Sequence, residues 1–183
     1  MVEEPRRYGF HATLKAPFYL APTCTQAQLI EAFESFARSE LPTATIIPVI
    51  DLLGNFAAVL AQDPQPAIDA LAGRCTSVFD AFRAPLSAED RSRRMAAGLS
   101  PSQAENLDRW GYPYTFSDFR FHMTLTGRIA ADVRARVLAG LRKSFERRCG
   151  YERFAIDRLA LLRQDGAMAN FRVLSQARLL VAA

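Results

Sequence analysis

The chain of 183 residues is long enough for one sizeable hydrophobic core but too short for several ordinary domains. Half of its residues are hydrophobic and 23% are charged, a balance that argues against disorder over most of the length. The net charge of +4 weakly favours an anionic ligand and is too small for a dedicated duplex-DNA-binding protein, so we expect no DNA partner.

The location of the protein follows from what its apolar segments lack. No apolar run approaches the roughly 18–20 residues of a membrane-spanning helix, and no signal-peptide core follows the charged N-terminus. We therefore expect a cytoplasmic protein with no membrane partner. The cysteines Cys24, Cys75 and Cys149 form no C-x-x-C pair, which predicts reduced, mostly buried thiols and no structural zinc.

The first half of the chain predicts a strand, a helix and a hairpin, followed by another helix. Thr25 and Gln28 have the spacing of a capping box at the start of an amphipathic helix. Gly54-Asn55 predicts the turn between two apolar, partly β-branched runs. The predicted elements are a strand over 8–20 that ends near Pro17, a helix over 25–38, a hairpin over 44–61 and a helix over 68–82.

The second half repeats this order after a helical connection over about 84–118. Its predicted elements are helices from Ser87 and from Pro101 to Trp110, a strand over 119–129, a helix over 131–148, and strands over 154–163 and 170–181. A duplicated β-α-β-β unit is the simplest organisation, with lobe one at about 1–83 and lobe two at about 119–183 of a single two-lobed domain. We expect an α+β fold in which antiparallel sheets carry helices on one face.

The chain has two histidines, and both stand in the same short pattern. His11 is followed by Ala12, Thr13 and Leu14, and His122 by Met123, Thr124 and Leu125; a phenylalanine precedes each histidine. The two motifs also fall at equivalent places in the two predicted repeats. The matched pair is therefore a much stronger signal than a lone His-x-Thr, which would be read as a structural histidine.

Strand alternation predicts which side chains accompany each histidine. Thr13 and Lys15 would share a face with His11, and Phe10 would face the core. Arg120, Thr124 and Thr126 would share a face with His122. Hydroxyls and cations bind phosphoryl oxygens, so we expect a phosphate pocket; the alternatives for Lys15 and Arg120 are an exposed strand end and surface ion pairing.

Two imidazoles can transfer protons as base and acid without a metal. We therefore predict His11 and His122 as the catalytic pair, with neither cofactor nor metal. A zinc site would need a third ligand, for which Asp51 and Asp118 are the candidates. Three tyrosines could stack on a base or sugar, although packing or loop anchoring is the simpler alternative; they are Tyr8, Tyr112 and Tyr114.

The longer strings around these motifs, residues 7–18, 110–114 and 119–127, resemble the two-histidine (2H) phosphoesterase superfamily. Within it they look like a phosphonate-metabolism branch that is encoded beside carbon–phosphorus lyase genes. The resemblance implies a LigT-like fold with a central cleft, His11 and His122 as catalytic residues, and Thr13 and Thr124 as phosphate-binding residues. It also implies a further strand and helix before the first motif, so we expect either that N-terminal residues are missing here or that this member has lost the segment.

The function implied by the resemblance is a metal-independent cyclic phosphodiesterase that opens a small ribose cyclic phosphate, with 5-phosphoribosyl 1,2-cyclic phosphate as a candidate. The alternatives are a non-catalytic module that binds nucleotides or RNA ends, and an enzyme that processes RNA 2′,3′-cyclic phosphates. The expected partner is a small phosphorylated sugar or nucleotide, with RNA second. The sequence leaves open the direction of the reaction, the division of acid and base roles, and the oligomeric state.

Overall fold

The computed structural model describes residues 7–40, 45–150, 152–166 and 168–179. The helices are α1 (Gln26–Ser39), α2 (Pro66–Val78), α3 (Ala88–Met95), α4 (Pro101–Trp110) and α5 (Arg134–Cys149). The strands are β1 (Thr45–Ile46), β2 (Pro48–Leu53), β3 (Phe56–Ala61), β4 (Met123–Thr124), β5 (Phe154–Ala155), β6 (Arg158–Gln164) and β7 (Phe171–Arg178). The fold is α+β with small antiparallel sheets, as the sequence predicts at this level.

Two compact units divide the chain. The described residues of the first unit come from the ranges Met1–Thr13, Phe36–Gln65 and Phe121–Ala183, and those of the second from Leu14–Ser35 and Pro66–Arg120. Each unit therefore draws on separate stretches of sequence, whereas the predicted lobes are consecutive. The single two-lobed domain with a helical connection stays a prediction.

The first unit contains the hairpin that the sequence predicts around Gly54-Asn55. Strands β2 and β3 pair antiparallel from Pro48↔Ala61 to Leu53↔Phe56. Gly54 has a φ of 62°, a left-handed conformation that glycine adopts without strain. On its other edge β3 pairs with β4, so the sheet has the order β2-β3-β4. Val59 in the middle strand is 1% exposed and belongs to the core.

The same unit holds a second hairpin near its C-terminal end. Strands β6 and β7 pair antiparallel, with a shift of register between Leu161 and Leu162. The backbone N–H of Phe171 at the start of β7 donates to the carbonyl of Arg7 at 2.8 Å. This hydrogen bond ties the hairpin to the segment that precedes the first histidine motif.

The helices follow the local signals of the sequence. The side chains of Thr25 and Gln28 form the predicted capping box, each accepting from the backbone N–H of the other at 2.8 and 3.2 Å. Ser87 caps α3 by accepting from the N–H of Asp90. Ser100 forms a second capping box ahead of α4. The predictions for Thr25 and Ser87 are confirmed, because capping needs only residues three apart.

Two predicted strands are wrong as regular strands. Residues 8–20 contribute isolated bridges at Ala12 and Leu20, and the predicted strand over 119–129 is reduced to Met123–Thr124. Gly9, with a φ of 68°, turns the backbone directly before the motif. Strand extent depends on a partner that offers hydrogen bonds, which alternation in one segment cannot reveal.

Two burial predictions also need correction. Phe10 is 61% exposed instead of facing the core, since it stands between the turn at Gly9 and the single bridge at Ala12. The three cysteines are free, but only Cys75 is buried: Cys24 is half-buried and Cys149 is exposed. Cys149 is the last residue of α5, and helix ends lie at the surface more often than helix centres.

Candidate functional site

The two histidine motifs meet in the first unit. Ala12 and Met123, the second residue of each motif, form an antiparallel bridge. In that register the flanking residues face each other across the strands, so Thr124 lies beside His11 and Thr13 beside His122. Each histidine therefore has the threonine of the other motif as its cross-strand neighbour. We call the four side chains His11, Thr13, His122 and Thr124 the His/Thr face.

The opposite side of this sheet belongs to the core. Met123 pairs with Ala12 on one edge and with Val59 on the other, and paired residues point to the same side. Val59 is almost completely buried. The His/Thr face is therefore turned away from the side that Val59 occupies, and it remains accessible: Thr13 is exposed and the other three residues are half-buried.

The hydrogen bonds of His11 determine its neutral tautomer. Its Nδ1 lies 3.1 Å from the carbonyl oxygen of Gly9, which can only accept, so Nδ1 carries the proton and donates. Its Nε2 lies 3.0 Å from the hydroxyl Oγ1 of Thr13 and accepts from it in that tautomer. The turn at Gly9 thus orients the imidazole, and the lone pair of Nε2 points to the threonine of the same motif.

Aromatic rings border both histidines. The rings of Phe56 and His122 have centroids 5.8 Å apart, and Phe56 precedes by two residues Ala58, the register partner of Thr124. The ring of Tyr8 stacks against Phe171 at 4.5 Å and against His11 at 5.7 Å. Tyr8 is therefore part of an aromatic stack beside the first histidine, and the prediction that it contacts a ligand remains a prediction.

Phe56 and Phe171 are neighbours that sequence reasoning did not identify. Phe56 could have been found from the alternation of β3 once its pairing with the second motif was known. Phe171 had no sequence signal, because its position depends on a contact between the two ends of the chain.

Lys15 lies in the second unit, where its ammonium group has structural partners. The Nζ atom donates to the carbonyl of Thr76 at 3.1 Å and lies 3.4 Å from the carboxylate of Asp80. Burial lowers the pKa of Lys15, although the charge of Asp80 opposes this shift. The chain does not continue as a strand beyond Ala12, so alternation no longer supports a place for Lys15 on the face of His11 and Thr13, and its contact with a phosphate stays a prediction.

Asp80 joins this cluster to Arg83, whose guanidinium donates to it at 2.7 and 3.2 Å. Burial by itself would raise the pKa of Asp80. The hydrogen bond from Arg83 and the charges of Lys15 and Arg83 together hold that pKa below its usual value. The three residues form a mostly buried ionic cluster within the second unit.

The other predicted contacts also lie in the second unit. Arg120 donates to the carbonyls of Ser117 and Phe119 at 2.8 and 2.6 Å, close to its own place in the chain. The rings of Tyr112 and Tyr114 meet edge to face at 5.5 Å, and Tyr114 is 46% exposed. Their predicted roles in substrate binding stay predictions.

Thr126 is buried and structural, unlike the exposed position expected from alternation. Its hydroxyl accepts from the N–H of Ala57 at 3.0 Å and donates to the carbonyl of Gly127 at 2.9 Å. The N–H groups of Leu125 and Thr126 both donate to the carbonyl of Ala57, so the ladder becomes irregular directly after β4. Because of this irregularity, Thr126 does not follow the alternation of sides that the sequence predicts.

The candidate metal ligands have other partners. Asp51 accepts from the N–H of Leu52 and forms an ion pair with Arg142. Asp118 accepts from Ser102, Gln103 and Asn106 within the second unit. Across the described ranges, no group of three or more histidine, cysteine, aspartate or glutamate residues is arranged to hold a metal ion.

Within the described part of the chain, no helix has the length and apolar character needed to cross a membrane.

Comparison with known proteins finds two curated relatives that share one name. It is 36% identical over 178 residues to a protein of Janthinobacterium sp. (strain Marseille) named ribose 1,5-bisphosphate phosphokinase PhnN, covering 93% of this chain and 38% of that protein. A protein of the same name from Laribacter hongkongensis (strain HLHK9) is 36% identical over 123 residues, 67% of this chain and 28% of the relative. The chain thus spans well under half the length of these relatives.

These names contradict the predicted function. The relatives are named as enzymes that phosphorylate a ribose phosphate, so the expectation of a cyclic phosphodiesterase is corrected, while the link to phosphonate metabolism is supported. A family described as "Protein of unknown function (DUF1045)" matches residues 13–172. That match covers most of the sequence, and the chain belongs to this family.

Proposed function

We propose that this chain recognises a phosphorylated ribose in phosphonate metabolism and that the His/Thr face binds its phosphate. The bridge between Ala12 and Met123 carries this proposal, because it brings two His-x-Thr motifs from distant parts of the sequence side by side. The relatives' name adds the substrate class, a ribose carrying phosphates at positions 1 and 5. The net charge of +4 agrees with an anionic ligand.

The chemistry of the His/Thr face suits a phosphate group. The hydroxyl of Thr124 can donate to a phosphoryl oxygen, and His122 can donate when protonated. The hydroxyl of Thr13 can donate to the phosphate when His11 is protonated, because His11 Nε2 then donates to Thr13 instead of accepting from it. His11 and His122 occupy diagonal positions across the two strands, roughly 7–8 Å apart at their Cα atoms. This spacing lets two imidazoles approach one phosphate from either side, as in the two-histidine arrangement of the 2H superfamily, whose LigT-like duplicated fold we include in the proposal.

In this proposal the chain binds the sugar phosphate substrate of the kinase reaction and not the nucleoside triphosphate donor. The printed sequence contains two lysines, Lys15 and Lys143, and neither follows a glycine. The G-x-x-x-x-G-K-[ST] loop that holds the phosphates of a nucleoside triphosphate is therefore absent from these residues. The contribution we propose to ribose bisphosphate phosphorylation is recognition of the sugar substrate, with His11 and His122 available to hold or accept a proton at its hydroxyl groups.

The test uses the fact that the chain contains two histidines. Their imidazole signals can be assigned in NMR spectra from His11→Asn and His122→Asn variants. Ribose 1,5-bisphosphate and ribose 5-phosphate should shift both signals saturably, whereas unphosphorylated ribose should shift neither. Saturation of the shifts gives the dissociation constant of each ligand.

A threonine pair provides the matched variants. Thr124→Val removes a proposed phosphate donor while preserving size, and should weaken binding of ribose 5-phosphate about tenfold or more. Thr45→Val is the control, since Thr45 is an exposed strand residue of β1 outside the His/Thr face. The proposal fails if ribose phosphates leave both imidazole signals unchanged, or if Thr124→Val and Thr45→Val have the same affinity as the unaltered chain.

A further inference from the structure

A cavity of about 450 Å³ lies within the second unit and has no part in the His/Thr face. Its lining residues are Ser77, Glu105, Asn106, Arg109, Trp110 and Phe116. Helix α4 supplies four of these side chains, so one rigid element positions most of the wall.

Aromatic rings make up one wall of this cavity. The rings of Trp110 and Phe116 have centroids 5.1 Å apart and are tilted by 52°. The guanidinium of Arg109 stands 4.7 Å above the indole. Phe116 rests on helix α2 at Gly73, where an added Cβ would come within 3.4 Å of the ring, and it stays 37% exposed. A partly exposed aromatic surface, on which the ring of Phe116 is the accessible face, is therefore open to a ligand.

The polar edge of the cavity offers hydrogen-bond acceptors. The Asn106 amide nitrogen lies 3.3 Å from each of three acceptor oxygens, on Pro113, Thr115 and Asp118. Because all three can only accept, the orientation of the amide is fixed and its Oδ1 is the atom left for a ligand. Glu105 is exposed, and its carboxylate has no ion pair or hydrogen bond among the residues the structure describes.

The turn that carries Phe116 is strained. Phe116 has a φ of 52°, in the left-handed region that residues with a side chain rarely adopt. The hydroxyl of the preceding Thr115 is buried and has no hydrogen-bond partner in the described parts of the chain. Asp118 holds the turn in place by accepting from Ser102 at 2.9 Å and from Gln103 at 3.1 Å. The strained backbone of Phe116 and the unpaired hydroxyl of Thr115 are both unfavourable, and they occur where the ring of Phe116 reaches the cavity wall.

We propose that this cavity binds a purine nucleotide whose base carries an amino group. The base would stack on the exposed ring of Phe116, with the tilted indole of Trp110 beside it. The amino group would donate to the Glu105 carboxylate and to Asn106 Oδ1, which are acceptors only. Arg109 would supply positive charge for the phosphate. Binding is noncovalent and does not depend on the function proposed for the first unit.

Trp110 is the single tryptophan of the chain, so intrinsic fluorescence reports on this cavity. The chain should be titrated with guanosine, adenosine and inosine 5′-monophosphates and with ribose 5-phosphate. The guanosine and adenosine nucleotides should change the Trp110 emission saturably, and inosine monophosphate should bind several-fold more weakly because it lacks the amino group. Equal affinity for inosine monophosphate, an equal response to ribose 5-phosphate, or no saturable response would overturn the proposal.

A pair of isosteric substitutions tests the polar edge. Glu105→Gln keeps the size of an exposed side chain but replaces a charged acceptor, and should weaken guanosine monophosphate binding about tenfold. Glu89→Gln, on α3 and outside the cavity, should leave the affinity unchanged. Unchanged affinity in Glu105→Gln would refute the assigned contact. The imidazole signals of His11 and His122 report the first unit separately, so failure of either proposal can be recognised.

Discussion

Replacing Asp80 with asparagine should destabilise the chain because it removes the negative charge between two mostly buried cations. The Lys15 side chain is 10% exposed and that of Arg83 14%, whereas Asp80 itself is 23% exposed. In the variant, Lys15 keeps a hydrogen bond to the carbonyl of Thr76 but loses its ionic partner. Two positive charges then remain close together with little water to screen them.

The size of the effect follows from this burial. Removing one partner of a fully buried ion pair costs about 3–5 kcal/mol, and the partial exposure of Asp80 reduces this to roughly 2–3 kcal/mol. Urea unfolding followed by circular dichroism should show a midpoint lower by about 1 M. Asp108→Asn is the control, because Asp108 pairs with Arg91 at a half-exposed surface site. The reasoning is refuted if the two variants have the same midpoint.

Because the pKa of Asp80 is lowered in the folded state, its carboxylate stabilises the fold above about pH 4. This contribution is lost as the pH falls through the folded-state pKa. The urea midpoint of Asp80→Asn should therefore depend less on pH in this range than the midpoint of the unaltered chain. Phe116→Gly should be more stable than Phe116→Ala by about 1 kcal/mol, because both remove the ring but only glycine relieves the positive φ; a reversed order in thermal unfolding would contradict the strain. Thr126→Val should lower the free energy of unfolding by about 1–3 kcal/mol, because the N–H of Ala57 loses its buried acceptor. Thr126→Ser keeps the hydroxyl and should be more stable than Thr126→Val. Ser100→Ala should cost about 1 kcal/mol in the same assay, through loss of the cap of α4, and an unchanged midpoint would exclude that role.

The helices could be predicted from the sequence because their signals are local. Thr25 and Ser87 mark helix starts through hydrogen bonds that span three residues, and both starts are confirmed. The hairpin around Gly54 could be predicted for the same reason, because its turn and both strands are contiguous in sequence. The length of the strands could not be predicted, because the segment around Ala12 pairs with the sheet at the point where it meets Met123.

For the candidate site too, local sequence patterns were informative and long-range contacts could not be predicted. The repeat of His-x-Thr pointed to four residues that lie on two segments joined by the bridge between Ala12 and Met123, and their roles as catalytic and phosphate-binding residues stay predictions. Lys15 was assigned to this face by extending alternation past the point where the strand ends. Its actual partners, Thr76 and Asp80, lie about sixty residues away in sequence, so alternation gave no indication of them.

The single bridge between the histidine motifs has a consequence for how the first unit opens. Ala12 and Met123 are more than one hundred residues apart, so their association closes a long loop and restricts the chain entropy accordingly. Strand β4 is also held by β3, whereas the segment around Ala12 has, among the described residues, one bridge to that sheet and a hydrogen bond from the N–H of Phe171 in β7 to the carbonyl of Arg7. The segment should therefore detach in local fluctuations that leave the β2–β3 hairpin intact. Amide hydrogen exchange should be faster around Ala12 than in β3, and a ligand that spans both motifs should slow it.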